Sequence, residues 1–150
     1  MPEKETVERA RRDKAQGKSP STQAGEFVHE EIEHVREGKH GARSTKQAIA
    51  IGLSKARRAG VRLPPPKGGK AQTRKSAASA ARAGREHRKP SPRRARAVRK
   101  ALKREPHRTA SRKALSRQAR TAARRRPASA RSAAARKAAR TRARRSAKKK

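Results

Sequence analysis

The sequence has no cysteine, tryptophan or tyrosine, and only one phenylalanine and one methionine among its 150 residues. Without cysteine the chain forms no disulfide and no cysteine-ligated zinc site, and this usage fits a reducing compartment. No apolar run reaches the length of a membrane span or a signal-peptide core. Large apolar side chains are too few to offset an ordering cost of ~1–2 kcal/mol per residue. We therefore do not expect one globular domain to fill the chain.

Acidic residues are also scarce, because 11 Asp and Glu stand against 47 Lys and Arg, which gives a formal net charge of +36. Most of the excess lies late in the chain. Residues 67–150 contain 33 basic residues and only two acidic ones, together with 23 alanines. Pro64 to Pro66 favour a stiff extended spacer, and Gly68 and Gly69 favour a flexible joint after it. We therefore divide the chain into a helical head, residues 1–66, and a basic tail, residues 67–150.

The head shows the periodicity of amphipathic helices. After a frayed helix over residues 3–16, either Ser19 or Ser21 can cap the next helix, and Pro20 suits its first turn. Phe27, Ile32 and Val35 then recur at helical spacing. Glu31 is an acidic member of the same stripe, and a glycine at position 38 suits the C-terminal cap.

A second amphipathic helix follows, and it begins with the capping-box residues Ser44 and Gln47. Ile49 and Leu53 line its apolar face, and Gly60 marks its end. The first of the two helices is acidic and the second is basic, which favours their pairing as a hairpin. The core of such a hairpin is small, and a second copy or a protein partner would complete it.

The basic tail is a degenerate alanine, arginine and lysine repeat that prolines divide into short blocks. Alanine and arginine favour helix, but like charges three and four residues apart oppose it, and we identify no surface for packing. We therefore expect this segment to be disordered alone and helical on phosphates. The predicted fold class is mostly α: a small N-terminal helical hairpin followed by a long, largely disordered basic tail.

Neither a metal site nor a catalytic site is predicted. His29 and His34 are five residues apart, which places them roughly 140° apart around a helix, whereas a zinc-binding helix needs a spacing of four. No nucleophile, base and acid stand on a framework that could position them. We therefore expect a protein that is not an enzyme and that uses no metal and no cofactor.

The loop from Gly38 to Ser44 leaves two interpretations open. Its glycines and the helix start after it could accept a phosphate, with Lys39, His40, Arg43 and Lys46 as donors around it. The alternative is an ordinary helix-to-helix turn in which glycine supplies a positive φ.

The partner that the charge favours is nucleic acid, because counterion release drives a chain with a net charge of +31 in its tail onto phosphates. The tail lacks the aromatic residues of single-strand readers and the apolar face of an interfacial membrane helix. Duplex DNA is therefore the expected partner, with RNA as the alternative and no membrane. The expected contacts are Lys39, Arg43, Lys46, Arg57 and Arg58 in the head and Arg93, Arg94, Arg99, Lys100, Arg112, Lys113, Arg124, Arg125, Arg126, Arg136, Lys137, Arg144 and Arg145 in the tail.

Two stretches of the head, Gly25–Val28 and Arg36–Gly60, resemble a family of short basic proteobacterial proteins of uncharacterised function. Members of that family are sometimes labelled plasmid stabilisation proteins. The tail resembles bacterial linker-histone-like proteins in composition, and Ser91–Arg94 is similar to the Ser-Pro-basic-basic units of histone tails. These likenesses imply a bacterial source and transfer no catalytic residue.

The sequence thus predicts a cytoplasmic, nucleoid-associated protein that binds DNA with little dependence on base sequence. One alternative is an RNA- or ribosome-associated basic protein. Another is a plasmid-maintenance adaptor whose head binds a protein partner.

Overall fold

A computed structural model describes residues 2–66, 68, 70–89 and 91–147, apart from the side chain of Arg145. Within these residues the chain forms seven α-helices and one short 3-10 turn, and contacts divide it into two units, residues 1–114 and 115–150. The helices are α1 (Lys4–Ala15), α2 (Pro20–Arg36), α3 (Thr45–Arg58), α4 (Ala71–Arg85), α5 (Pro92–Leu102), α6 (Arg112–Arg124) and α7 (Ala128–Ala147), and the 3-10 turn is Arg108–Ala110.

Helix α2 lies at the centre of the first unit and packs against both α1 and α3. Of the two predicted caps, Ser19 is the one that forms: its hydroxyl accepts a hydrogen bond from the backbone N–H of Thr22, and Pro20 lies in the first turn. Phe27 and Val35 are buried on its inner face. After its end, Gly38 adopts a φ of +76°, the left-handed conformation that glycine adopts most readily.

Helix α3 packs on α2 through small residues. Ala48 and Ala56 are fully buried, whereas Ile49 and Leu53, which the periodicity places in the core, are only half-buried. Gly52 explains this arrangement, because a Cβ there would lie 2.7 Å from the Cα of Val28 in α2. The two backbones approach so closely that alanine and glycine fill the interface.

The predicted caps of α3 form with one change of register. The Ser44 hydroxyl accepts from the N–H of Gln47 at 3.2 Å, which is the expected half of the capping box. The Gln47 side chain accepts from the N–H of Arg43 at 2.7 Å, one residue before the cap. At the other end, Gly60 has a φ of +90° and terminates the helix.

The prediction that the tail is long and intrinsically disordered is wrong, because α4 to α7 occupy most of residues 71–147. The first reason is packing. Helix α4 lies on α3 through Ala77, Ala80 and Gly84, all of which are buried. A Cβ on Gly84 would overlap the carbonyl oxygen of Arg57. Alanine and glycine therefore supply the surface on which α4 packs, although the tail has few large apolar residues.

The second reason is local. Alanine has the highest helix propensity, and each like-charge pair costs only a few tenths of a kcal/mol. Helix α6 is capped by the Ser111 hydroxyl, which accepts from the N–H of Ala114 at 3.2 Å.

None of the helices, over the residues described, has both the length and the apolar character of a membrane span. Gly69 of the predicted flexible joint lies outside those residues.

Candidate nucleic-acid interface

The second unit carries charge of one sign only. Residues 115–150 contain 15 basic residues and no acidic residue. In α6 and α7 every basic side chain that the structure describes is exposed. The predicted contacts among these exposed residues are Arg124, Arg136, Lys137 and Arg144, together with Arg125 and Arg126 just after α6; the side chain of Arg145 is not described. The predicted contacts Arg112 and Lys113, at the start of α6, are exposed as well but belong to the first unit.

The dimensions of α7 suit a nucleic-acid duplex. Its 20 residues correspond to a length of about 30 Å, beside which a duplex presents about 18 phosphate charges. Alanine separates the basic residues along this helix. An α-helix fits the major groove, which is about 12 Å wide, and the small alanine side chains keep the diameter of α7 low.

The predicted contacts of α5 are also exposed. They are Arg93, Arg94, Arg99 and Lys100, and they belong to the first unit. In the head, Arg43, Lys46 and Arg58 are exposed too.

Two other basic residues of the head are engaged by the protein itself. Lys39 Nζ lies 3.0 Å from a Glu37 oxygen and 3.2 Å from a Glu3 oxygen, and these contacts hold the pKa of Lys39 above its ordinary value. Arg57 is only 9% exposed, and its guanidinium donates to the carbonyl oxygen of Pro64 at 3.3 Å. Burial lowers the pKa of Arg57. We leave Arg57 out of the proposed interface because its guanidinium is not accessible.

The backbone of the loop from Gly38 to Ser44, called the glycine loop below, forms hydrogen bonds with other parts of the chain. The N–H of Gly41 donates to the carbonyl oxygen of Leu102 at 2.9 Å, and that of Ala42 donates to the carbonyl oxygen of Pro106 at 3.2 Å. A Cβ on Gly41 would overlap the carbonyl oxygen of Glu105. The loop therefore binds the segment after α5, which favours the interpretation as a turn. Sequence periodicity could not reveal this contact, since its two sides are about 60 residues apart.

A charged cluster that the sequence analysis did not predict lies between α2, α3 and this loop. Lys55 Nζ is 2.8 Å from Glu30 Oε1 and 2.8 Å from Glu31 Oε2, and both carboxylates are buried. Burial acts to raise the pKa of Glu30, but hydrogen bonds from Lys55 and from the backbone N–H of Glu3 outweigh it and hold that pKa below its ordinary value. Burial acts in the opposite sense on Lys55, and its two carboxylate contacts keep its pKa raised.

Two histidines extend the cluster. His40 Nε2 lies 3.3 Å from Glu31 Oε1, and His34 Nε2 lies 2.8 Å from Glu3 Oε1. One ligand atom from each of Glu31, His34 and His40 lies within 4.8 Å of the others. Spacing along the sequence relates His34 to His29, whereas the fold places it near His40 from the loop. The signal in the sequence was Glu31, a carboxylate on an apolar stripe.

The comparisons with known proteins locate a likeness in the head. Residues 4–67 match DUF6496, a family of unknown function. No curated protein and no solved structure matches the chain. The match covers α1, α2 and α3 and ends before α4, so it includes the charged cluster and leaves out residues 68–150, which contain 32 of the 47 basic residues.

Proposed function

We propose that the protein is a non-enzymatic DNA-binding protein of the nucleoid that holds duplex DNA through its phosphates. The observation that carries this proposal is the single-signed second unit: 15 basic residues, no acidic residue, and exposed basic side chains along α6 and α7. Bound phosphates would replace repulsion between these side chains by attraction and would release condensed counterions.

The chemistry of the tail favours backbone contacts over base readout. Readers of single strands stack bases on aromatic side chains, but residues 67–150 contain no aromatic residue, and Phe27 of the head is buried. Arginine can contact guanine, but residues 67–150 contain no Asn and only two Gln, Gln72 and Gln118, that could read adenine. Binding therefore depends on the number of phosphates and only weakly on base sequence.

Helices that exist before binding change the expected mechanism. The sequence analysis predicted a tail that folds on DNA, whereas α6 and α7 already hold their basic residues at helical spacing. Preorganised groups lose less conformational entropy on association than disordered ones. The protein would therefore dock formed helices on DNA.

The proposal is tested with full-length protein in which six basic residues of α7 are replaced by glutamine. A matched variant carries the same charge change at exposed positions outside the predicted contacts. The α7 variant changes Arg131, Arg136, Lys137, Arg140, Arg142 and Arg144; the control changes Lys4, Arg11, Arg12, Lys14, Arg62 and Lys70.

We expect the α7 variant to lose at least tenfold more affinity for a duplex than the control variant. Equal losses would mean that net charge alone decides binding and would contradict a role for the second unit. A structured RNA serves as competitor in the same assay. If RNA displaced the duplex at a lower concentration than unlabelled duplex does, the alternative of an RNA-associated protein would replace the proposal. A protein that bound neither nucleic acid but retained a stoichiometric protein partner would favour the adaptor.

A further inference from the structure

The Glu31 carboxylate is the least satisfied polar group in the part of the chain that the structure describes. The residue is 0% exposed, and neither of its side-chain oxygens has a hydrogen-bond partner. Lys55 Nζ lies 2.8 Å from Oε2 and pairs with it as a cation, and His40 Nε2 lies 3.3 Å from Oε1. A buried charged oxygen without hydrogen bonds is costly, and such groups usually pair with a cation or bind a metal.

The hydrogen bond of His40 fixes which of its nitrogens faces Glu31. His40 Nδ1 lies 3.0 Å from the carbonyl oxygen of Gly41, and a carbonyl only accepts, so Nδ1 carries the hydrogen. In the neutral ring Nε2 then presents a lone pair to Glu31 Oε1 at 3.3 Å. Two acceptors at this distance repel each other unless a proton or a metal ion lies between them.

His34 is held in a similar way. Its Nε2 lies 2.8 Å from Glu3 Oε1, and the carboxylate accepts the hydrogen bond, which leaves Nδ1 of the neutral ring with a free lone pair. A carboxylate behind one histidine and a backbone carbonyl behind the other form the outer shell that orients metal-bound histidines. Both rings are well covered, with side chains 13% and 15% exposed for His34 and His40.

Charge also favours a cation here. Glu30 and Glu31 bring two buried carboxylates together, and Lys55 supplies one positive charge between them. Lys55 balances only one of these two carboxylate charges. A divalent ion would balance the other charge and would bind Glu31 Oε1, the oxygen that faces His40.

We propose that Glu31, His34 and His40 bind a zinc ion. Two imidazoles and one carboxylate are a ligand set that zinc takes, with bonds of about 2.0–2.2 Å. Ligand atoms in a tetrahedral site lie about 3.4 Å apart, so the three side chains close from their present separations of up to 4.8 Å. The bound ion ties the glycine loop to α2. Because Gly41 in that loop holds the segment after α5, zinc fastens this part of the first unit and stabilises it.

The test is a titration of full-length, metal-free protein with zinc chloride, followed by calorimetry and by thermal unfolding. We expect one tight site per chain and a rise in the unfolding temperature. His34→Asn and His40→Asn should each weaken this site at least tenfold. The matched control is His29→Asn, on the exposed side of the same helix, which should leave affinity unchanged.

A second measurement separates a lost ligand from lost folding. Circular dichroism of each variant without metal shows whether the helices form, and the visible spectrum of cobalt(II) on the unaltered protein reports tetrahedral coordination directly. A wild-type protein that binds no zinc at micromolar concentration would overturn the proposal. The same holds for zinc spread over several weak sites, or for His29→Asn weakening binding as much as His40→Asn. The cluster would then be satisfied by protons on the histidines.

Discussion

Replacing Gly52 by alanine tests whether α2 and α3 pack backbone against backbone. A Cβ at Gly52 would lie 2.7 Å from Val28 Cα and 2.9 Å from the carbonyl oxygen of Phe27. Both atoms belong to the backbone of α2, so the helices themselves must separate to relieve the contact. Overpacking of a well-packed interface costs ~1–3 kcal/mol. We expect a cost toward the upper end of this range, because the two helices must move apart along their whole contact.

The matched control is Gly25→Ala, because a Cβ on Gly25 in α2 meets no atom within 4 Å. Both changes gain ~0.8–1.0 kcal/mol of helix propensity. We therefore expect Gly25→Ala to raise the free energy of unfolding by about 1 kcal/mol. Gly52→Ala should instead lower it by about 1–2 kcal/mol, since the clash outweighs the propensity.

The assay is urea unfolding followed by far-ultraviolet circular dichroism at one fixed salt concentration. The midpoints are compared only if the slopes agree, since a changed slope would signal a different unfolded or native state. If Gly52→Ala were as stable as Gly25→Ala, the close approach of the two helices would be refuted.

Two further predictions concern the charged cluster and the tail. Lys55→Met should destabilise the protein by about 3–5 kcal/mol, because it leaves the Glu30 and Glu31 carboxylates buried without their cation; Lys46→Met, which changes an exposed lysine of α3, is the control in the same urea assay. Circular dichroism should show a helical tail before DNA is added and little gain in helicity when a duplex is titrated in, since α6 and α7 are already formed. A large gain in helicity on DNA would instead support a tail that folds on binding. Equal stability of Lys55→Met and Lys46→Met would refute the ion-pair argument.

The local features of the head could be predicted from the sequence because each depends on neighbouring residues. Ser19 as a helix cap and the glycines at positions 38 and 60 as terminators follow from side-chain and backbone chemistry that acts within one turn. The face of α2 that carries Phe27 and Val35 follows from periodicity alone, and both are buried.

The tail could not be predicted in the same way, because the argument required large apolar residues for packing. Ala80 and Gly84 pack α4 on α3 by allowing the backbones to approach, and this contact leaves no hydrophobic pattern of the usual kind. The cluster of Glu31 with His40 was missed for a different reason. It depends on the path of a loop that is itself fixed by hydrogen bonds to residues after α5.

The central claim is that the protein binds duplex DNA through many phosphate contacts, and a salt titration tests it most directly. The dissociation constant of the full-length protein is measured on two unrelated duplexes over a range of salt concentrations. With about ten of its basic side chains engaged, the slope of log affinity against log salt should be near −9, and both duplexes should give the same line. A slope near zero, or a strong preference for one duplex at every salt concentration, would contradict the account.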